Sequence, residues 1–396
     1  MFERLVVRRQ NSVDAPNPID LGFLAEAMLF YGDVALVANR LVIQQLLRAC
    51  GPDTLLALLH EGHLRLLVSE NYTVINTQNA GTPRERYDAG LAEIRRSPHD
   101  PPISIEGAIV VDDFIAATGG RQGRGRRLAL QAAKAASVTR IDPRVAQQTH
   151  LDLRDPSFVS AAALDVLQIL APGYEPPPDG FFYLDDDGSG SLALRTNIDF
   201  RRANDSYRLL VPAEHSTLGP AHVLGLIMSS REAVDGAAAL ESELACDPAN
   251  ARIIQRRVTG LIERRARSEG QKEHFVEWAL NDGRAIRDAV NSGARSFEDV
   301  LKLLNRARDF RGWLHSKPAD VDLVKEYFKA ATRDTWADSL PTKVIRWFVM
   351  TIAAGTQLGP IAGAAVGTVD AFLVDRLIKG YRPNQFVNGP LKRFVG

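Results

Sequence analysis

The chain has 396 residues, with 48 Lys and Arg against 48 Asp and Glu, 45% apolar residues and 24% charged ones. That length predicts two or three domains, each with its own core, and the composition excludes a disordered chain. Zero formal net charge argues against a dedicated nucleic-acid binder, in which a basic excess supplies much of the affinity.

The start, MFERLVVRRQNS, lacks the apolar h-region of a signal peptide. Cys50 and Cys246 lie far apart, without metal-ligand spacing, and read as reduced thiols of a cytosolic protein. Leu5–Arg9 is a short β-type run. Asp20 stands at an N-cap position before LGFLAEAMLFY, a helix with almost no polar face. Asp33–Ala38 has a buried-strand pattern. Arg40–Ala49 and Pro52–Glu61 read as two amphipathic helices, with Gly51 and Gly62 at their ends where left-handed caps are common. Leu64–Val68 and Tyr72–Asn76 again read as strands, so the alternation predicts an α/β layer.

Ile103–Ile115 reads as a strand running into a helix, and Gly119–Arg127 as a basic loop opening a helix over Leu128–Ala136. Pro156–Leu170 is an alanine-rich helix that ends in the turn-rich PGYEPPPDG. Phe181–Leu184 and Leu192–Phe200 make a hairpin, followed by a strand at Tyr207–Val211. Beyond about residue 218 the periodicity is helical. Ser296 with Asp299 is the acidic form of a capping box, opening an amphipathic helix with Phe297, Val300, Leu301, Leu304 and Ala307 on one broad face.

The most patterned stretch is Trp347–Val369. It is uncharged and carries Gly355, Gly359, Gly363 and Gly367 at a strict spacing of four. Residues four apart share a helix face, so these glycines lay a groove of bare backbone that another helix can approach closely. Twenty-three uncharged residues are long enough to span a bilayer. Gln357, Pro360 and the later Asp370 and Asp375 favour instead a broken helix pair, Val344–Thr356 and Pro360–Ile378. A buried hairpin, a spanning helix and a segment that inserts conditionally all remain open readings.

Chemistry-bearing patterns are weak. His60-Glu61-Gly62-His63 has its histidines three apart across a helix-ending glycine, which reads as a cap and not a metal pair. Asp185, Asp187, Ser189 and Gly190 resemble half a calcium loop, but Thr196 stands where a bidentate carboxylate is needed and the flanks are strands, so a hairpin turn is favoured. In Gly119–Arg127, Arg121, Arg124, Arg126 and Arg127 form a candidate anion clamp, but the segment is neither a Walker A loop nor a dinucleotide fingerprint, and a solvated flexible loop is the favoured reading. No GxSxG or Cys–His signature points to a catalytic residue.

The run RAIRDAVNSGARSFEDVLKLL and the tail DRLIKGYRPNQFVNGPLKRF resemble uncharacterised bacterial proteins of about this length, over the C-terminal third; that resemblance implies no activity.

The expected fold class is α+β. Its parts are a mixed α/β domain over 1–175, a β-hairpin connection over 176–215, a helical domain over 216–340, and a glycine-zipper helical hairpin with a basic tail over 341–396. The expected function is a non-enzymatic intracellular effector or adaptor. Its C-terminal helices associate with a membrane surface or with its own copies, and it needs no cofactor or metal. An anion- or nucleotide-binding enzyme using Arg121–Arg127, and a partner-binding subunit in complex with another protein, are the competing expectations. The expected location is cytoplasmic, peripheral to a membrane or conditionally inserted in one.

Overall fold

The computed structural model describes residues 4–9, 17–79, 82, 85–93, 109–186, 191–211, 217–240, 242–254, 256, 281–309, 390 and 392–395. The protein is mixed α/β with two sheets. The first sheet is wholly parallel: β1 (Arg4–Val7), β2 (Asp33–Ala38), β3 (Arg65–Ser69), β6 (Ser137–Thr139) and β9 (Glu243–Ala245), in the order β6-β3-β2-β1-β9. The second is antiparallel: β4 (Asn71–Gln78), β5 (Arg86–Glu93), β7 (Phe182–Asp186) and β8 (Leu192–Thr196), in the order β4-β5-β8-β7.

The central strands of the parallel sheet read as continuous apolar runs because both faces are covered. Leu5, Val7, Val34, Leu36, Leu66, Val68 and Ala245 face one way, into the largest core. That core is roofed by α1 (Leu21–Phe30), α2 (Arg40–His60), α4 (Gln122–Ala135), α9 (Asn281–Asn291) and α10 (Phe297–Arg306). The alternate residues Val6, Ala35, Leu67 and Leu244 face the other way, onto Ala233 and Ala237 of α8 (Pro220–Ala239) and Ile254. The antiparallel sheet has its own core with α6 (Pro156–Leu170) and α7 (Phe200–Tyr207). The first half of α8, with Val223, Leu224 and Ile227, belongs to this core, while its second half lies on the parallel sheet. One helix therefore spans both cores. β3 and β4 are separated only by Glu70.

The local signals act as expected at several ends. Asp20 accepts from Phe23 N at 2.9 Å and caps α1. α2 is two helices joined at Gly51, whose φ of 71° breaks the run before Pro52. Gly62, with φ 71°, ends the second. The Ser296–Asp299 capping box is complete.

Elsewhere tertiary packing prevails. The expected strand over Tyr207–Val211 is absent: α7 runs to Tyr207, capped by Asp199, because Ala203 and Tyr207 are buried one turn apart. Leu209, 82% exposed, follows it in a turn. α5 (Pro143–Leu153) opens on Asp142-Pro143, an N-cap followed by a first-turn proline; β5 carries no strong sequence signal, since it contains Asp88 and Gly90, poor strand formers, and is held by pairing on both sides. β9 lies in a stretch of helical periodicity, and only three residues long it completes the edge of the parallel sheet. That sheet thus draws on elements from both sides of residue 216.

The uncharged run with Trp347, Gly355, Gly359, Gly363 and Gly367 lies outside the described residues. So does the hairpin expected there, apart from α11 (Lys392–Val395) and residue 390. Among the described residues no helix is long and apolar enough to cross a membrane.

Candidate ligand-binding site

The parallel sheet advances from β1 through β2 and β3 to β6, and β9 then joins on the far side of β1. Strand order reverses at that pair. In open α/β sheets, connections diverge at such a point and leave a crevice beyond the carboxyl ends of the two strands, where ligands bind. β1 ends there in Arg8 and Arg9, and β9 in Cys246 and Asp247. Arg8 N donates to Ala245 O at 2.8 Å, so the ladder continues to the rim.

A cavity of about 340 Å³ occupies this crevice. Arg8, Arg9, Cys246 and Asp247 wall one side. α8 supplies another with His222, Gly225, Ser229 and Ala233, positions that fall on one stripe at helical spacing. Leu226 adds apolar surface and Asn250 closes the space from the helix at 248–254.

The walls are fixed by hydrogen bonds. Asp247, 2% exposed, accepts from Ala249 N at 3.1 Å and Asn250 N at 3.0 Å, capping the helix that follows it. Its other oxygen accepts from the Asn250 side chain, whose Oδ1 in turn accepts from Ser229 Oγ at 2.8 Å. Both Asp247 oxygens thus accept from the helix that follows. Arg8 pairs with Glu232 of α8, and Glu232 also accepts from Thr73 N at 3.2 Å and Thr73 Oγ1 at 3.0 Å. His222 meets the Tyr207 ring edge-on, with centroids 6.1 Å apart. Burial pushes the Cys246 thiol far up, Asp247 adds to this, and Arg8 opposes it. Cys246 is therefore a neutral thiol near pH 7, which favours a packing role over nucleophilic attack.

The sequence-derived candidates fall elsewhere. Arg121 is the N-cap residue of α4, and Arg124, Arg126 and Arg127 lie within its first turns, so the expected loop is largely helix. Gly119 and Gly120, with φ of 67° and 80°, close the end of α3 (Val111–Ala117), where their N–H groups donate to Ala116 O and Ile115 O, both at 3.0 Å. Gly125 sits against the Ile115 backbone. Arg124 pairs with Asp53 at 2.7 Å. None of the four arginines lines the crevice. His63 lies 3.4 Å from Glu61, at the left-handed helix end formed by Gly62, as the cap reading requires. The Asp185 hairpin is antiparallel, with Arg195 Nε donating to Asp185 at 3.0 Å; Asp187, Ser189 and Gly190 lie outside the described residues. Among the described residues no group of His, Cys, Asp and Glu is placed to hold a metal ion.

Two signals bore on the crevice: the apolar run LVV closed by paired arginines, and Asp247-Pro248, an N-cap followed by a first-turn proline. Neither shows by itself that the two ends are neighbours. No family model, curated protein or solved structure matches the chain.

Proposed function

We propose that the protein is a ligand-binding effector. Its α/β body takes a small organic anion in the β1–β9 crevice, and its C-terminal glycine-zipper segment associates with a membrane surface or with further copies of the chain. The observation that carries the first half is the cavity at the strand-order reversal, with Arg8 and Arg9 at its edge. Its volume lies in the range of small-molecule pockets, about 300–1,000 Å³. A guanidinium fits a phosphate or carboxylate with paired hydrogen bonds. The neutral Cys246 thiol supports binding rather than thiolate catalysis.

The test is a thermal-shift titration of the full chain with organic phosphates and carboxylates. A stabilising ligand whose effect is lost in Arg9→Gln, and kept in Arg124→Ala plus Arg126→Ala, supports the crevice. The reverse pattern assigns the anion to the first turns of α4, and no shift with any compound sinks the binding reading.

The second half rests on the fourfold glycine spacing, together with the docking of the tail that follows it. Phe394 is buried in the main core beside Arg295. The expected hairpin over 341–396 is part of this proposal. Liposome flotation and dye release, with light scattering for oligomer mass, test it through Gly359→Leu and Gly363→Leu. A wild-type chain that neither binds nor permeabilises liposomes and stays monomeric removes this half. The chain is then left as a ligand-binding subunit in complex with another protein.

A further inference from the structure

The edges of the two sheets are not alike. β6 and β9 end the parallel sheet with three residues each, too short to take a long partner strand. β7, at one edge of the antiparallel sheet, carries Asp185 and Asp186. Ser160 of α6 also holds the N–H and the C=O of Phe182, at 3.1 and 2.8 Å. Short strands, charges and covering side chains keep an edge from pairing. β4, at the other edge, has eight residues, NYTVINTQ, with no charge and no proline.

Glu232 covers only the start of that edge. Thr73 N donates to it and so points away from β5. Backbone groups alternate along a strand, so the N–H and C=O groups of Ile75 and Thr77 point the same way. Among the described residues neither meets a hydrogen-bonding partner on that side. After Gln78 the strand ends at Asn79, whose φ is 52°. Ile75 packs on the core of the antiparallel sheet, while Val74 and Asn76 lie on the opposite face, beside Gly90. Asn76 and Gln78 are exposed.

We propose that this edge pairs with the β4 strand of a second copy of the chain, antiparallel, about a two-fold axis through Asn76. Antiparallel pairing sets outward-bonding residues against one another, so the axis passes through Ile75, Asn76 or Thr77. An axis at Ile75 opposes Thr77 to Thr73, whose N–H Glu232 already takes. An axis at Thr77 opposes Ile75 to Asn79, where the strand has ended. With the axis at Asn76, Ile75 faces Thr77 of the other copy, and each such pair exchanges both of its main-chain hydrogen bonds. The second strand then ends opposite Thr73, where Glu232 takes over the edge. A second copy fits because the strand is self-complementary: no like charges face each other, and a chain of zero formal net charge does not repel its own copies. The contact joins the two antiparallel sheets into one. It uses no residue of the glycine-rich segment, so it is independent of the self-association proposed there.

Sedimentation equilibrium of the full chain from about 1 µM to about 1 mM tests this, and a reversible dimer is expected. Asn76→Lys sets two ammonium groups opposite each other at the axis. It is expected to weaken the dimer by about fivefold or more, as is Asn76→Glu, and mixing the two variants is expected to restore it. The side chain is exposed, so the melting temperature of the monomer is expected to hold. Thr77→Pro removes an outward N–H and keeps the pairing with β5, for an expected loss of about tenfold or more. The Asn76 variants carry the test if the proline variant does not fold. On mild oxidation Asn76→Cys is expected to cross-link to its own copy, and Gln78→Cys, which faces Val74, far more slowly. Gly359→Leu plus Gly363→Leu is expected to leave the dimer intact. A wild type that stays monomeric to about 1 mM overturns the proposal. So does a dimer that Asn76→Lys leaves unchanged, or one that dissolves only in the glycine variant.

Discussion

Arg8 at the end of β1 and Glu232 on α8 form an ion pair that ties the two sheets together. Glu232, 6% exposed, uses its other oxygen to accept from the backbone and hydroxyl of Thr73 on β4, the edge strand of the antiparallel sheet. One carboxylate thus satisfies a guanidinium on one sheet and an edge N–H on the other. Glu232→Ala leaves Arg8 and Thr73 N without that acceptor, and removing one member of a buried pair costs about 3 kcal/mol. Arg124→Ala, which breaks the exposed pair with Asp53, is expected to cost no more than about 1 kcal/mol. Urea denaturation of the two variants measures the contrast; equal losses would show that Glu232 is not the tie between the sheets.

The helical glycines divide by what surrounds them. Gly22→Ala drives a methyl group into the Arg287 carbonyl, and Gly125→Ala drives one into the Ile115 backbone. Neither neighbour is the end of a flexible side chain, so α1 must part from α9, and α4 from α3. Each substitution is expected to destabilise by about 1–3 kcal/mol, as overpacking does. Gly225→Ala meets open space and is expected to stabilise by about 0.5–1 kcal/mol, through helix propensity alone. Chemical denaturation of the three variants should separate them in sign. A destabilised Gly225→Ala would mean that the helix is held to that glycine by packing after all.

The cysteines make stability depend on alkaline pH. Burial raises the Cys50 thiol from about 9.0 to about 12, and Cys246 is raised further in the same direction. A thiol that titrates later when folded favours the folded state while it is protonated. Its contribution is whole below about pH 9 and is lost as pH rises from there through the folded value. A Cys50→Ala, Cys246→Ala double variant is therefore expected to lose less stability than the wild type between about pH 8 and about pH 11. For the same reason, iodoacetamide should label both thiols far more slowly in the native chain than in urea. Rapid native labelling would show that the half-buried thiols are not held in their raised, protonated state.

What was readable in the sequence was local. Asp20, Gly51, Gly62 and the Ser296–Asp299 box act within a few residues of themselves, and the apolar runs of β1, β2 and β3 record burial on both faces. What was not readable depends on distant pairing. β9 has three residues and no period of its own, so its place beside β1 follows from α8 crossing both cores and returning the chain to the sheet edge. Without β9 there is no reversal of strand order, and Arg8, Cys246 and Gly225 are unrelated residues. Gly119–Arg127 misleads for the opposite reason: glycines among arginines suggest an anion cradle, yet Gly119, Gly120 and Gly125 shape a helix end and a helix crossing.

The C-terminal residues dock onto the main core. Arg295, in the turn between α9 and α10, donates to the carbonyl oxygens of Arg393 at 2.8 Å and of Phe394, and its guanidinium lies 5.7 Å from the centre of the Phe394 ring. The ring itself enters the same core as Ile286, Val290 and Phe297. Residue 394 is thereby fixed to α9 and α10. Phe394→Ala removes the buried ring of a four-residue helix. It is expected to cost about 2 kcal/mol, below the usual range for a central Phe because the tail can detach alone. Carboxypeptidase should then trim the variant well before the wild type under native conditions. Arg295→Ala should show the same trimming with a smaller stability loss, since the ring is retained. If both variants resist trimming as the wild type does, the tail is not held by these contacts.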